Sequence, residues 1–270
     1  MPGVLPRLDY FEYSDRLLAH SRIAEISTFA EVEEDGRRYP LHEILIEGDP
    51  WLVITSGFHG EERSGPLTIA EHLPEIAAWA RARRVGLRIY PCLNPSGFEA
   101  GRRYNASGEK PNNDFLRDEI APGVWKGELE PGEAFLRWEL FREGPKETRA
   151  IRARLEASPA PAAALDIHQD HHLRGPLFYA YTFGDPAAYR PIVEVSRAHG
   201  TLAARTPVDG VRATDDDGLI ALNDGSVTDY YFRRGVRHAA ALETTTQMPL
   251  PASAAINLVW ILGFVELAAG

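Results

Sequence analysis

Cysteine is nearly absent from this chain: Cys92 is the only one in 270 residues. An intrachain disulfide and a cysteine-ligated zinc cluster are therefore both excluded. Lysine is almost as scarce, present only at Lys110, Lys126 and Lys146, so arginine carries most of the positive charge. Positive charge is itself in deficit, with a formal net charge of −10 at pH 7. That balance argues against non-specific binding to nucleic acid or to an anionic membrane. No unbroken apolar run reaches about 18 residues, the length that would suggest a membrane span. The apolar stretch Ala254 to Ala269 is interrupted by Asn257, Gly263 and Glu266, and reads as a buried C-terminal helix. The opening segment has acidic residues and two early prolines. It lacks the basic-then-apolar order of a signal peptide, so the expected location is cytoplasmic.

What remains is ordinary globular material, 44% apolar and 25% charged, enough for a substantial core. Ile23–Ala30 and Tyr39–Glu47 flank Asp35-Gly36 and predict a hairpin, spanning residues 22–47 with its flanks. Strands are expected at Trp51–Thr55, Gly86–Leu93, Ala162–Ile167, Leu177–Thr182 and Val236–Leu242. Helices are expected at 62–83, Glu133–Phe141, Glu147–Ala157, Ala187–His199, Ser226–Arg234 and Ala252–Leu267. Residues 94–130, rich in Asn, Gly and Pro, read as a long loop region. Strands alternating with helices predict one α/β domain over residues 1–270, with a mixed, mostly parallel β-sheet flanked by helices on both faces.

Four segments carry chemistry. His59 and Glu62 stand three apart, directly after the strand Trp51–Thr55, where a turn can aim an imidazole and a carboxylate at one point. His168 ends another apolar strand and supplies a third ligand; His171 and His172 compete with it but fall beyond the strand end. Two histidines and a glutamate with one open position form the ligand set of a hydrolytic zinc site. Glu243, at the end of Val236–Leu242, can face the same cleft as a proton-transfer carboxylate. The loop region holds Asn94-Pro95-Ser96-Gly97, then Arg103 through Gly108, then Asn112-Asn113-Asp114-Phe115, a set suited to anion and amide recognition.

Taken together, these segments resemble the zinc carboxypeptidase family, within a superfamily that includes the aspartoacylase and succinylglutamate desuccinylase branch. The resemblance runs from about residue 43 to 268. It matches His59 and Glu62 to the family's His-x-x-Glu motif, residues 94–97 to Asn-Pro-x-Gly, and Arg103 through Phe115 to Arg-x-Asn-x-x-Gly-x-x-x-Asn-Arg-x-Phe. His168, two residues after Asp166, resembles the later metal histidine. Glu243, 75 residues beyond it, resembles the catalytic glutamate, preceded by the family-like Gly225-Ser226-Val227-Thr228-Asp229-Tyr230. The resemblance implies one Zn²⁺ per chain, held by His59, Glu62 and His168. It further implies Glu243 as general base and then acid, and Arg103 as the group steadying the oxyanion. Asn112 would orient the substrate, and Thr228 would stand at the specificity pocket, where a small neutral residue gives no charge preference.

Three positions depart from the family pattern. Its Asn-Arg pair is Asn112-Asn113 here, so the arginine that grips a substrate carboxylate is missing. Lys110 replaces a frequent aspartate, and no tyrosine stands near Ala221. The implied substrates are a small peptide, cut as a carboxypeptidase would, or an N-acyl amino acid, cut as a deacylase would. A non-catalytic zinc-binding relative is the third reading, which Glu243 opposes. Asn113 predicts weak cleavage of a free C-terminal carboxylate unless Arg102, Arg174, Arg212 or Lys110 restores the anion site.

Overall fold

The structure, a computed structural model, describes residues 8–112, 114–130, 132–208, 212–221 and 223–270. Its main sheet uses β1 (Glu25–Glu34), β2 (Arg37–Ile46), β3 (Trp51–Ser56) and β4 (Gly86–Tyr90). A three-stranded sheet follows from β5 (Leu116–Ala121), β6 (Val124–Lys126) and β7 (Arg137–Leu140). The main sheet continues with β8 (Ala163–Asp170), β9 (Leu177–Phe183) and β10 (Thr201–Leu202). A short ladder joins β11 (Pro207–Val208) to β12 (Arg212–Ala213), and β13 (Leu219–Ile220) and β14 (His238–Thr245) complete the main sheet. Its order is β1-β2-β4-β3-β8-β14-β9-β10, with β13 also on β9. The central β4-β3-β8-β14 run is parallel, while β1, β2 and β9 join antiparallel.

Helices cover both faces. Against one face lie α1 (Tyr10–Leu18), α2 (Ser64–Ala82), α5 (Arg190–Ser196) and α7 (Leu250–Ala269), packed on Leu52, Ile54, Leu165, Ile167 and Leu242. Against the other lie α4 (Lys146–Glu156) and α6 (Val227–Arg233), packed on Val53, Ala164 and Ala239. The short α3 (Pro95–Ala100) sits beside the loop that follows β3. The alternation of core assignments along β3 and β8 is the period-2 pattern of a strand covered on both sides.

Local chemistry explains several elements. Asp35 and Gly36 both take positive φ, +50° and +72°, the geometry of a two-residue hairpin turn. Pro74 lies inside α2 and cannot donate to the carbonyl of Ala70. His20 Nε2 sits 2.9 Å from that oxygen and takes the missing place. By length and composition α7 would also span a bilayer; half of that apolar window is buried in the protein. Its Asn257 donates to Ser64 Oγ and Thr68 Oγ1 of α2 at 3.2 and 3.1 Å.

Three expectations need correction. Glu133–Phe141 is not helical: Arg137–Leu140 forms β7 and pairs with β5. There Trp138 and Leu140 pack on the second core, so ladder formation overrides helix propensity. The region 94–130 is not loop throughout, since α3, β5 and β6 fall in it. Strands β8 and β14 run three residues further than expected, which puts His168 and Glu243 inside strands rather than beyond them.

Candidate metal centre

Strand β3 ends at Ser56, and Gly57 turns the chain with φ +68°. The next residues, Phe58 to Glu62, are tied back by Asn94. Its side-chain amide donates to Phe58 O and Arg103 O, both at 3.1 Å, while its Oδ1 accepts from Gly97 N at 3.0 Å. The same side chain therefore caps α3 and fastens two loops. Gly60 lies against Gly97, and a Cβ at Gly60 would come within 2.0 Å of the Gly97 carbonyl carbon. The Asn-Pro-x-Gly segment is thus a buttress for the loop that carries His59 and Glu62.

Strand β8 places Asp166, His168 and Asp170 on one face by its alternation. In the parallel pairing of β8 with β14, Glu243 stands opposite His168. All three predicted ligands converge, with donor atoms within 4.8 Å of one another. His59 Nδ1 is 2.7 Å from Glu62 Oε1, and His168 Nδ1 is 2.7 Å from Glu62 Oε2. His168 turns its Nε2 to Asp166 Oδ2 at 2.7 Å, and Asp166 Oδ1 accepts from Thr55 Oγ1 at 2.8 Å. Asp166 thereby fixes the ring orientation, the usual outer partner of a ligating histidine. His171 and His172 lie beyond β8 with their rings in tilted contact, centroids 3.7 Å apart, outside the converging group.

Electrostatics at the centre follow from burial and the facing charges. Burial pulls His59 down to about 4 against the opposing pull of Glu62, which favours the neutral imidazole a metal requires. Burial raises Glu62, but the two imidazoles outweigh it and hold the carboxyl well below its ordinary range. Burial also lowers His168, and Asp166 with Glu62 outweigh that effect and hold it well above. Those two carboxylates would favour a divalent cation at His168 Nδ1 for the same reason. Glu243 is pushed well up, first by burial and further by Glu62 and Asp170. Its Oε2 is buried with no hydrogen-bond partner among the described residues.

These groups open into a cleft of about 410 Å³, which Arg103, Asn112 and Thr228 also line. Arg103 Nη1 donates to Glu62 Oε1 at 2.9 Å and Glu61 Oε1 at 3.3 Å. Asn112 is buried at φ +129°, with Nδ2 3.5 Å from His168 Nε2 and Oδ1 unpartnered. Thr228 Oγ1 is 3.0 Å from Ser226 Oγ. Asn113 lies outside the described residues. The sequence reading missed Asp170, Tyr179, Tyr181, Glu128 and Asp224, all of which line the cleft. Strand periodicity could have found some: Tyr179 and Tyr181 pair with Glu243 and Ala241 across β9 and β14. With Asp224 and Glu128 present, the charge of the pocket is not set by Thr228 alone.

No protein-family model matches the sequence, and no curated protein matches it. Solved structures do share the fold. A candidate metallopeptidase from Shewanella denitrificans is 23% identical with a TM-score of 0.70, over 97% of this chain and 91% of that one. A metallo-carboxypeptidase from Burkholderia cenocepacia is 15% identical with a TM-score of 0.64, over 95% and 68%. One from Pseudomonas aeruginosa, in complex with (2-guanidinoethylmercapto)succinic acid, is 16% identical with a TM-score of 0.62, over 95% and 68%.

Proposed function

We propose that this chain is a metal-dependent hydrolase of the carboxypeptidase type, cleaving a peptide or amide bond in a small substrate. One observation carries the reading: two imidazoles and a carboxylate converge in a cleft where a fourth group, Glu243, keeps an unpartnered oxygen. The donors fit zinc, which is bound by histidine and carboxylate and leaves a position open in catalytic sites. Zinc held there would supply Lewis acidity, lowering the pKa of an attacking water and polarising the scissile carbonyl. Glu243 takes the proton of that water on its carboxyl and passes it to the leaving nitrogen. Arg103 offers a guanidinium for the developing oxyanion, a contribution of about 3 kcal/mol for a single donor. Asn112 orients the substrate through its amide. A second reading is the same hydrolysis applied to N-acyl amino acids, which present the same amide beside a carboxylate.

The test is metal content beside turnover. We expect about one zinc per wild-type chain, and substoichiometric zinc with no turnover in His59→Ala and His168→Ala. Equal zinc in all three proteins would remove these residues from the metal centre.

A further inference from the structure

With asparagine at position 113, the cleft needs its positive charge from elsewhere if the substrate is an anion. Of the four cations that could supply it, only Lys110 lines the cleft. Arg212 is spent on Glu128 at 2.9 Å and on Leu129 O at 3.0 Å. Arg103 also lines the cleft, but its Nη1 is engaged by Glu61 and Glu62. Lys110 makes no ion pair or side-chain hydrogen bond among the described residues. Lys110 is felt by Asp114, whose carboxyl burial pushes up and Lys110 pulls down.

A lone surface lysine would usually wander, and this one is rooted in a fixed loop. Asn105 and Glu109 close the loop on itself: Asn105 N donates to Glu109 O at 2.9 Å, and Glu109 N to Asn105 Oδ1 at 2.8 Å. Asn105 Nδ2 reaches the Glu147 carboxylate at 3.0 Å, and Ser107 Oγ reaches Glu34 Oε2 at 2.8 Å. Lys146 then binds Glu34 Oε1 at 2.8 Å. This knot joins the hairpin, α4 and the loop immediately before Lys110. Pro111 follows and restricts the backbone of Lys110 to extended conformations.

We propose that Lys110 is the specificity-determining cation of this cleft, binding a carboxylate adjacent to the scissile amide. This rests on the hydrolase reading above. The chemistry is shared by the C-terminal residue of a peptide and by an N-acyl amino acid. A lysine presents a point charge rather than a bidentate fork, so it selects charge with looser geometry.

The test compares N-benzoyl dipeptides and N-acetyl amino acids with their primary amides, in wild type, Lys110→Met and Lys110→Arg. We expect Lys110→Met to lose about 10- to 100-fold in kcat/KM on the acids and less than about twofold on the amides. Lys110→Arg should retain most activity on the acids. Preference for the dipeptide or the acyl amino acid distinguishes the two sources of the carboxylate. Calorimetric binding of N-acetylphenylalanine and its amide to zinc-loaded protein gives an independent readout. Acid-selective binding lost in Lys110→Met, without turnover of any probe, would uphold the lysine and overturn the hydrolase reading. Turnover with equal effects of Lys110→Met on acid and amide would do the reverse, as would acid selectivity unchanged by the substitution. Absence of any acid selectivity in wild type, in binding or cleavage, overturns the lysine's role.

Discussion

Two clusters in this protein, one buried and one partly buried, bring possible cation ligands equally close together, and they differ in kind. His59, Glu62 and His168 form one; Glu34, Glu109 and Glu147 form the other, with ligand atoms equally within 4.8 Å. The first combines nitrogen donors with one carboxylate and faces a cleft in which Glu243 keeps an unpartnered oxygen. The second is all carboxylate, and the Lys146 ammonium already lies 2.8 Å from Glu34. Proximity of ligands is therefore not enough. Donor chemistry and an open side distinguish the candidate metal centre from a structural knot, since each cluster has a cation beside it, Arg103 2.9 Å from Glu62 and Lys146 2.8 Å from Glu34.

Glu243→Gln tests the first cluster with the largest effect. Glutamine keeps the shape and cannot shuttle a proton, so turnover should fall about 10³- to 10⁴-fold with zinc content unchanged. Steady-state kinetics beside metal analysis checks this, and retained activity would return Glu243 to a structural role.

Glu147→Gln tests the second cluster through pH. Burial raises the Glu147 carboxyl from 4.5 to about 7, with Asn105 and Lys146 opposing and Glu34 adding to the rise. The folded state thus binds more protons than the unfolded chain between those values, and stability falls as pH rises through that window. The fall amounts to about 3 kcal/mol. Glu147→Gln should remove this fall, leaving the variant more stable than wild type at pH 8 and similar near pH 4.5. Denaturant midpoints at both pH values measure it; parallel curves for the two proteins would assign the proton elsewhere.

Lys146→Met probes the counter-charge itself. Removing it should cost about 2 kcal/mol, discounted because the lysine is partly exposed. Calcium should then stabilise the variant and leave wild type unchanged, since three carboxylate oxygens suit that ion. Thermal melts with and without calcium decide it, and a calcium effect on wild type would erase the contrast between the clusters.

Much of the first cluster was legible because strand ends and short spacings are local signals. His59 and Glu62 follow an apolar run, and His168 ends another. Convergence was not legible from periodicity, and came from resemblance: the pairing of Glu243 with His168 is a property of strand order. The knot was invisible for the same reason, because Glu34, Glu109 and Glu147 come from a hairpin, a loop and a helix. The Glu133–Phe141 segment misled because its composition favours helix, while β5 supplied a partner that sequence proximity did not reveal. Asn94 falls in a segment whose composition suggests only loop and amide recognition, although its buried side chain organises two loops.

The central position of β8 has a consequence for how the molecule matures. His168 lies 109 residues after His59, and Glu243 comes 75 residues later still. Their strands become neighbours only when β3, β8 and β14 have all paired. Such non-local pairing is slow to form, because loop closure must precede the contacts that reward it. Neither half of the chain holds all of His59, Glu62 and His168, so a metal ion held by the three would be taken up with high affinity only after closure of the sheet. Metal occupancy would then serve as a clock for refolding, rising with the last tertiary contacts rather than with the first helices.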